Sequence, residues 1–363
     1  MIKKYNNTTA TLALAKASFR SILRSPSAVV FTLAFPLIFI LVFGFLSTNG
    51  VKIDLAIAPT SNLDNPVIKA LEQNSVVRLI KDTDTTNINS ALTKGNYDGL
   101  IDVQLNKDSI PNYITNITYT TASPDKTNIL KSLILNIQLQ VNMANQVPTV
   151  TEVRETMLKS RPYTTIDFIL PGQLGFSLLS TGVFGTAFVF FSLRQNLVIK
   201  RFFATPVRKS SIVLGEGIAR IGFALLGALT IILLGNLFFG FTLVNGYITV
   251  INMLVLSFLG VLVFMGFGFV ISGIAKSEST IPPISNIITL PQFLLSGTFF
   301  SVSVFPTWLQ YISKAMPLTY LNDAMRKVAF EGLSLWDVRI QILVLLVWGV
   351  VVYGAAVKFF KWE

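Results

Sequence analysis

The 363-residue chain contains no cysteine and no histidine. Without cysteine there are no disulfides, thiol nucleophiles or CxxC motifs, and without either residue the usual zinc sets are excluded. The lack of histidine also removes the side chain that most often serves as general base. Charge is scarce too. Asp, Glu, Lys and Arg make up 13% of the chain, against about 25% in a soluble domain. The deficit is uneven. From Ile221 to Ala275, 55 consecutive residues carry no charge, whereas the 115 residues from Lys52 to Ile166 read like an ordinary soluble domain.

A localised deficit of this kind marks bilayer spans rather than a uniformly apolar globule. A spanning helix needs about 20 apolar residues, because each residue rises about 1.5 Å through about 30 Å of hydrocarbon. Six segments meet that length: residues 28–47, 169–193, 221–241, 251–275, 281–300 and 340–357. The uncharged run is too long for one helix and is expected to fold back at Asn245-Gly246. The first segment is long enough to remain as an anchor, and no small-residue cleavage site accompanies it.

Lys and Arg orient these spans. Residues 1–27 hold five basic side chains and no acid, and residues 194–220 hold six against Glu216 alone. Residues 52–167 balance eleven basic against twelve acidic side chains. Both termini are therefore expected in the cytoplasm, with residues 48–167 outside. The net charge of +11 is a matter of topology, and nucleic acid is not an expected partner. The expected fold is an α-helical polytopic membrane protein with six transmembrane helices. A small α/β extracytoplasmic domain is expected between the first and second.

Within that domain, residues 53–58, 76–80, 97–105 and 113–120 read as strands. Residues 65–73 and 85–94 read as helices, the second ended by Gly95, and a longer helix starts at Ser123-Pro124. Its expected apolar stripe is Ile129, Leu133, Ile137 and Val141.

Two cytoplasmic helices stand out. In residues 195–206, Val198, Ile199, Phe202 and Phe203 share one face, Lys200 and Arg201 lie off it, and Pro206 stops the helix. This is either an interfacial helix or a docking helix, and the paired Phe side chains are typical interface anchors. Before the first span, residues 11–24 carry the apolar stripe Leu12, Ala15, Phe19 and Ile22 and the basic stripe Lys16, Arg20 and Arg24. Residues 320–328 place Leu321, Ala324, Met325 and Val328 on one face. The uncharged stretch 279–313 is too long for one span and too short for two, which implies a re-entrant or surface-lying piece after the fifth.

No expected span carries an ionisable residue at its centre, which disfavours ion pumps, proton-coupled transport and intramembrane proteases. No catalytic residue and no metal site is expected. Phe176, Phe184, Gln292, Phe293 and Phe299 are candidates to line an apolar path, against the default of helix or lipid packing. No Lys before Ser or Thr follows a Gly, so there is no Walker A and no nucleotide hydrolysis by this chain is expected.

Phe168-Ile169-Leu170-Pro171-Gly172 heads the second span, and Arg201-Phe202-Phe203-Ala204-Thr205-Pro206-Val207-Arg208 lies in the basic link. Leu214-Gly215-Glu216 enters the third span. Met316-Pro317-Leu318-Thr319-Tyr320 and Ala329-Phe330-Glu331-Gly332 precede the sixth. In this order the set resembles the ABC-2 type permeases, the membrane subunits of ABC exporters, over essentially the whole chain. The large insert is similar to that of the branch with drug, antibiotic and lipid efflux members.

The resemblance implies that residues 195–206 are a coupling helix seated in a cytoplasmic ABC ATPase subunit, and that residues 1–27 hold the connecting helix. It implies ATP and Mg bound on that ATPase, a second permease (identical or a paralogue), and a bacterial inner membrane setting in contact with lipid. The implied function is ATP-driven export of a hydrophobic or amphipathic molecule. The alternative is a non-transporting assembly that uses the ATPase for periplasmic mechanical work or signalling. Deleting residues 52–166 separates the two, since a mechanotransmitter loses all function.

Overall fold

The side chain of Asn6 accepts a hydrogen bond from the backbone N–H of Thr8 and so caps α1, Asn7–Leu23. The computed structural model describes residues 6–45, 53–74, 76–81, 85–93, 95–106, 110–144, 151–158, 164–195 and 207–359. They form two compact units, Met1–Phe45 with Thr165–Glu363, and Leu46–Thr164. After α1 the chain runs through α2, Pro26–Val29, a π turn over Val30–Ala34, and α3, Phe35–Phe45. The expected first span is thus helical from residue 26 but interrupted by the wide turn.

The Leu46–Thr164 unit is a five-stranded sheet with helices on both faces. In chain order it contains β1 (Ile53–Ile57), α4 (Pro66–Glu72), β2 (Val77–Lys81), α5 (Thr85–Thr93) and β3 (Gly99–Leu105). There follow β4 (Tyr113–Thr120), α6 (Pro124–Ala144) and β5 (Thr151–Leu158). The strand order is β2-β1-β3-β4-β5. Only the β3–β4 pair is antiparallel, with Ile101 opposite Ile117. Strand side chains alternate between faces. Ile53, Leu55 and Ile57 therefore join Ile101, Val103, Ile117 and Tyr119 beneath α4 and α6, while Ala56 meets Ile88 and Leu92 of α5 on the other face.

Two details differ from the sequence reading. The buried stripe of α6 is Leu130, Ile134, Ile137 and Val141, and Ile129 is exposed. The expected stripe thus holds at its C-terminal end and slips by one position at the start. The fifth strand was missed. It is an edge strand whose described side chains are half-buried or exposed, so it needs no apolar alternation, and its Glu152, Arg154 and Glu155 mask the β-signal.

Asp98, 1% exposed, ties this sheet together. Its Oδ2 accepts from the backbone N–H of Asp54 at 2.8 Å and from Lys126 Nζ at 3.0 Å. Removing the carboxylate leaves the N–H of Asp54 without its partner. Because Lys126 is partly exposed, Asp98→Ala is expected to cost about 2 kcal/mol rather than the full value of a buried pair. Hydrogen exchange on the full-length variant should show faster exchange confined to β1 and β3. Unchanged rates there would refute this role. Nearby, burial and Glu155 push the Tyr119 phenol above its ordinary pKa, which keeps it protonated as a donor to Glu155.

The other unit continues with α7 (Thr165–Gln195), α8 (Lys209–Phe239), α9 (Tyr247–Ile274) and α10 (Ile281–Leu295). It closes with α11 (Thr307–Ala315), α12 (Pro317–Arg326) and α13 (Arg339–Phe359). Among the described residues, α7, α8, α9 and α13 are the four helices long and apolar enough to cross a bilayer. The most apolar stretches of α7 and α9 are 61% buried and that of α13 is 22% buried, so α7 and α9 form the centre and α13 the rim. The turn between α8 and α9 falls at Asn245-Gly246 as expected, with Gly240 and Gly246 at positive φ.

The expected fifth span at 281–300 is corrected. Its helix stops after 15 residues at Leu295, about 22 Å of rise. Gly297 then turns the chain at φ +71°, and Asn322 Nδ2 holds the turn by donating to the Ser296 carbonyl at 3.0 Å. The amphipathic face expected at Leu321, Ala324, Met325 and Val328 is buried throughout.

Candidate functional site

Phe side chains from four elements meet at one place. Phe176 of α7 and Phe293 of α10 have ring centroids 3.9 Å apart. Phe299, in the turn after α10, lies 4.9 Å from Phe293. Two rings of α3 complete the group: Phe35 is 5.3 Å from Phe176, and Phe39 is 5.4 Å from Phe299. Phe35 and Phe39 are one helical turn apart and so share a face, with centroids 4.8 Å apart. Each such pair contributes about 1 kcal/mol beyond area burial. All five rings are only half-buried, so the cluster is an apolar surface as well as a core.

Polar groups adjoin it without partners. Gln173 lies one turn before Phe176 on the same side of α7, and it is fully buried. Among the described residues neither its amide nitrogen nor its amide oxygen has a hydrogen-bond partner. A buried amide left unpaired costs about 1–3 kcal/mol. Gln292, beside Phe293, spends its Nε2 on the Ile288 carbonyl at 3.4 Å and leaves Oε1 unpaired. Ser177 donates to the Thr32 carbonyl at 2.8 Å, and the Thr32 and Thr181 hydroxyls share a hydrogen bond at 3.0 Å. The rings present an uncharged apolar surface, beside which one amide nitrogen, Gln173 Nε2, and two amide oxygens, Gln173 Oε1 and Gln292 Oε1, are buried and unpaired.

Of the path candidates from the sequence, Phe176, Phe293 and Phe299 come together, while Gln292, next to Phe293 in α10, is buried and bonds to its own helix at Ile288. Phe184 does not join them: it sits two turns along α7 and makes no ring contact among the described residues. The missed members are Phe35 and Phe39. Their signal was an i, i+4 Phe pair in the first apolar run, but periodicity alone does not say which face of a span meets protein.

At the far end of the same unit, α1 lies along the start of α8. Gly215 permits it, since a Cβ there would stand 2.8 Å from Leu14 Cβ and 3.1 Å from the Thr11 carbonyl. Ser18 Oγ donates to Glu216. Phe19 faces Gly222 across this contact, whereas Lys16 and Arg20 are exposed. The packed face thus contains Leu14, Ala15 and Phe19, and Leu12, expected in the stripe, is exposed. The coupling candidates Val198, Ile199, Lys200, Arg201, Phe202, Phe203 and Pro206 lie outside the described residues.

A family model described as ABC-2 family transporter protein matches residues 26–358. The chain belongs to the ABC-2 transporter family. It is also similar to ABC transporter G family member 20 of Dictyostelium discoideum, 26% identical over 363 residues, 93% of this chain and 49% of that protein. The chain therefore spans about half the length of this curated relative. As an ABC-2 family member with these apolar helices, it is a multi-pass membrane protein of the ABC-transporter class. The match begins at Pro26, so α1, with its contact to Glu216, precedes the part the family model covers.

Proposed function

We propose that this ABC-2 protein is the permease of an ATP-driven exporter, moving a hydrophobic or amphipathic molecule (drug-, antibiotic- or lipid-like) out of the cytoplasm or inner leaflet. The observation that carries this reading is the half-buried cluster of Phe35, Phe39, Phe176, Phe293 and Phe299 beside the unpaired amide of Gln173. Such a surface supports recognition by apolar contact and stacking, with hydrogen bonds to an uncharged polar group. A second permease, identical or a paralogue, closes the route by facing these rings. The basic runs at 1–27 and 194–220 support cytoplasmic termini in a bacterial inner membrane, with residues 48–167 outside. ATP and Mg bind a cytoplasmic ATPase partner that receives residues 195–206. The contact of α1 with Gly215 and Glu216 carries its stroke into α8.

The test is efflux of rhodamine 6G from cells carrying the chain and its ATPase. Phe176→Ala removes the ring closest to Phe293 and is expected to slow efflux about tenfold, while Phe184→Ala stays within about twofold. Equal rates for the two variants, at equal membrane abundance, would sink the proposed path.

A further inference from the structure

The turn that carries Phe299 is held by one side chain that reaches two elements. Arg326, the last residue of α12, donates from Nε at 3.1 Å and from Nη2 at 2.9 Å to the carbonyl of Phe168, in the first turns of α7. Its Nη2 also donates to the Gly297 carbonyl. The guanidinium lies 3.7 Å from the centroid of the Phe168 ring. Both acceptors are backbone carbonyls, so no side-chain rotation at either acceptor releases them.

Two further features bring the turn this close. A Cβ at Gly172 would stand 2.6 Å from the Thr298 carbonyl oxygen. Asn322, one turn before Arg326, donates to Ser296 O at 3.0 Å and to Thr298 Oγ1 at 3.5 Å. A planar guanidinium can serve two carbonyls and stack on a ring at once; a lysine ammonium is a point charge and cannot reproduce that fork.

We infer that Arg326 is a positioning residue for the transport route. It locks the 296–299 turn to the head of α7 and so fixes Phe299 against Phe39 and Phe293. While its hydrogen bonds hold, the turn and the α7 head move as one piece. The function assigned to this lock rests on the proposed path, but the lock itself does not.

The absence of cysteine makes a direct test available. Ser296 is 1% exposed and Ser257, in α9, is fully buried. Ser296→Cys and Ser257→Cys, each the sole cysteine of the full-length chain in membranes, are reacted with N-ethylmaleimide in Arg326, Arg326→Lys and Arg326→Gln backgrounds. Releasing the lock is expected to speed modification of residue 296 about tenfold in both variants and to leave residue 257 unchanged. Gly297→Ala, which forces a side chain into positive φ in the same turn and sets its Cβ 3.4 Å from Arg326 Nη1, is expected to act in the same direction. Unchanged modification of residue 296, or a parallel rise at 257 that signals general loosening, overturns the inference.

Rhodamine 6G efflux then reads the consequence. A lock that positions Phe299 raises the KM of Arg326→Lys more than it lowers kcat. A pure kcat loss overturns the positioning role. If the unaltered chain moves no dye, the transport reading fails, and the maleimide rates still decide the lock.

Discussion

Gly268→Ala is expected to weaken the fold by about 2 kcal/mol, whereas the same change at Gly354 does no harm. A Cβ on Gly268 would stand 2.6 Å from Thr186 Cβ, 2.7 Å from the Val183 carbonyl oxygen and 2.9 Å from that of Gly182. Two of those three neighbours are α7 main chain, which cannot turn aside as a side-chain rotamer can. The contact is reciprocal, since a Cβ on Gly182 would meet Phe264 Cβ at 2.6 Å and the Met265 nitrogen at 3.1 Å. In a bilayer, lipid is as apolar as the helix surface. Association therefore depends on close backbone approach, which small residues permit. Forcing an extra carbon into this crossing costs about 3 kcal/mol, offset by about 1 kcal/mol of helix propensity gained over glycine. Gly354 has nothing within 4 Å of its would-be Cβ, so only the propensity gain applies there. Thermal unfolding of the purified protein in detergent checks the pair. A midpoint for Gly268→Ala equal to that of Gly354→Ala would show that the α7–α9 crossing tolerates the added carbon.

Phe202→Ala combined with Phe203→Ala is expected to abolish ATP-dependent efflux while leaving membrane insertion intact. The argument is one of position and pattern. By helical period these two aromatics fall on the expected apolar face of residues 195–206, inside a link whose six basic side chains favour the cytoplasmic side. Buried aromatic anchors carry a large share of interface energy, about 2 kcal/mol or more each when truncated. Loss of both therefore lowers affinity for the ATPase at least about a hundredfold. Insertion depends on the apolar spans, which the change leaves alone. Co-purification of the ATPase with the double variant and dye efflux from the same cells are the two readouts. Full retention of both would remove residues 195–206 from the coupling role.

Much of the fold was legible in the sequence because bilayer and sheet impose simple periods. The uncharged run had to be two helices, and the structure turns it at Asn245-Gly246. The insert alternates strands and helices, and its β1, β2, β3 and β4 fall close to their expected places. Legibility failed where partners decide the outcome. Residues 281–300 have the apolar length of a span, yet the helix ends at Leu295, because Asn322 and Arg326, both distant in sequence, hold the turn that follows. The stripe on α1 misplaced Leu12 because Gly215 sets which face approaches α8.

The candidate site shows the same division. Composition alone made it uncharged and aromatic, since the chain has 29 Phe and its apolar runs carry no Asp, Glu, Lys or Arg near their centres. Which Phe residues meet was beyond any period: Phe35 and Phe293 are 258 positions apart (293 − 35), with ring centroids at 6.3 Å. Local pattern thus determined the class of this protein and its apolar helices. Only the tertiary structure decided the members of the cluster, the burial of Gln173 beside it and the hold of Arg326 on its outer turn. The reason is physical: hydrophobic periodicity reports one helix against its surroundings, whereas ring contacts, close glycine crossings and a shared guanidinium are properties of two or three elements at once.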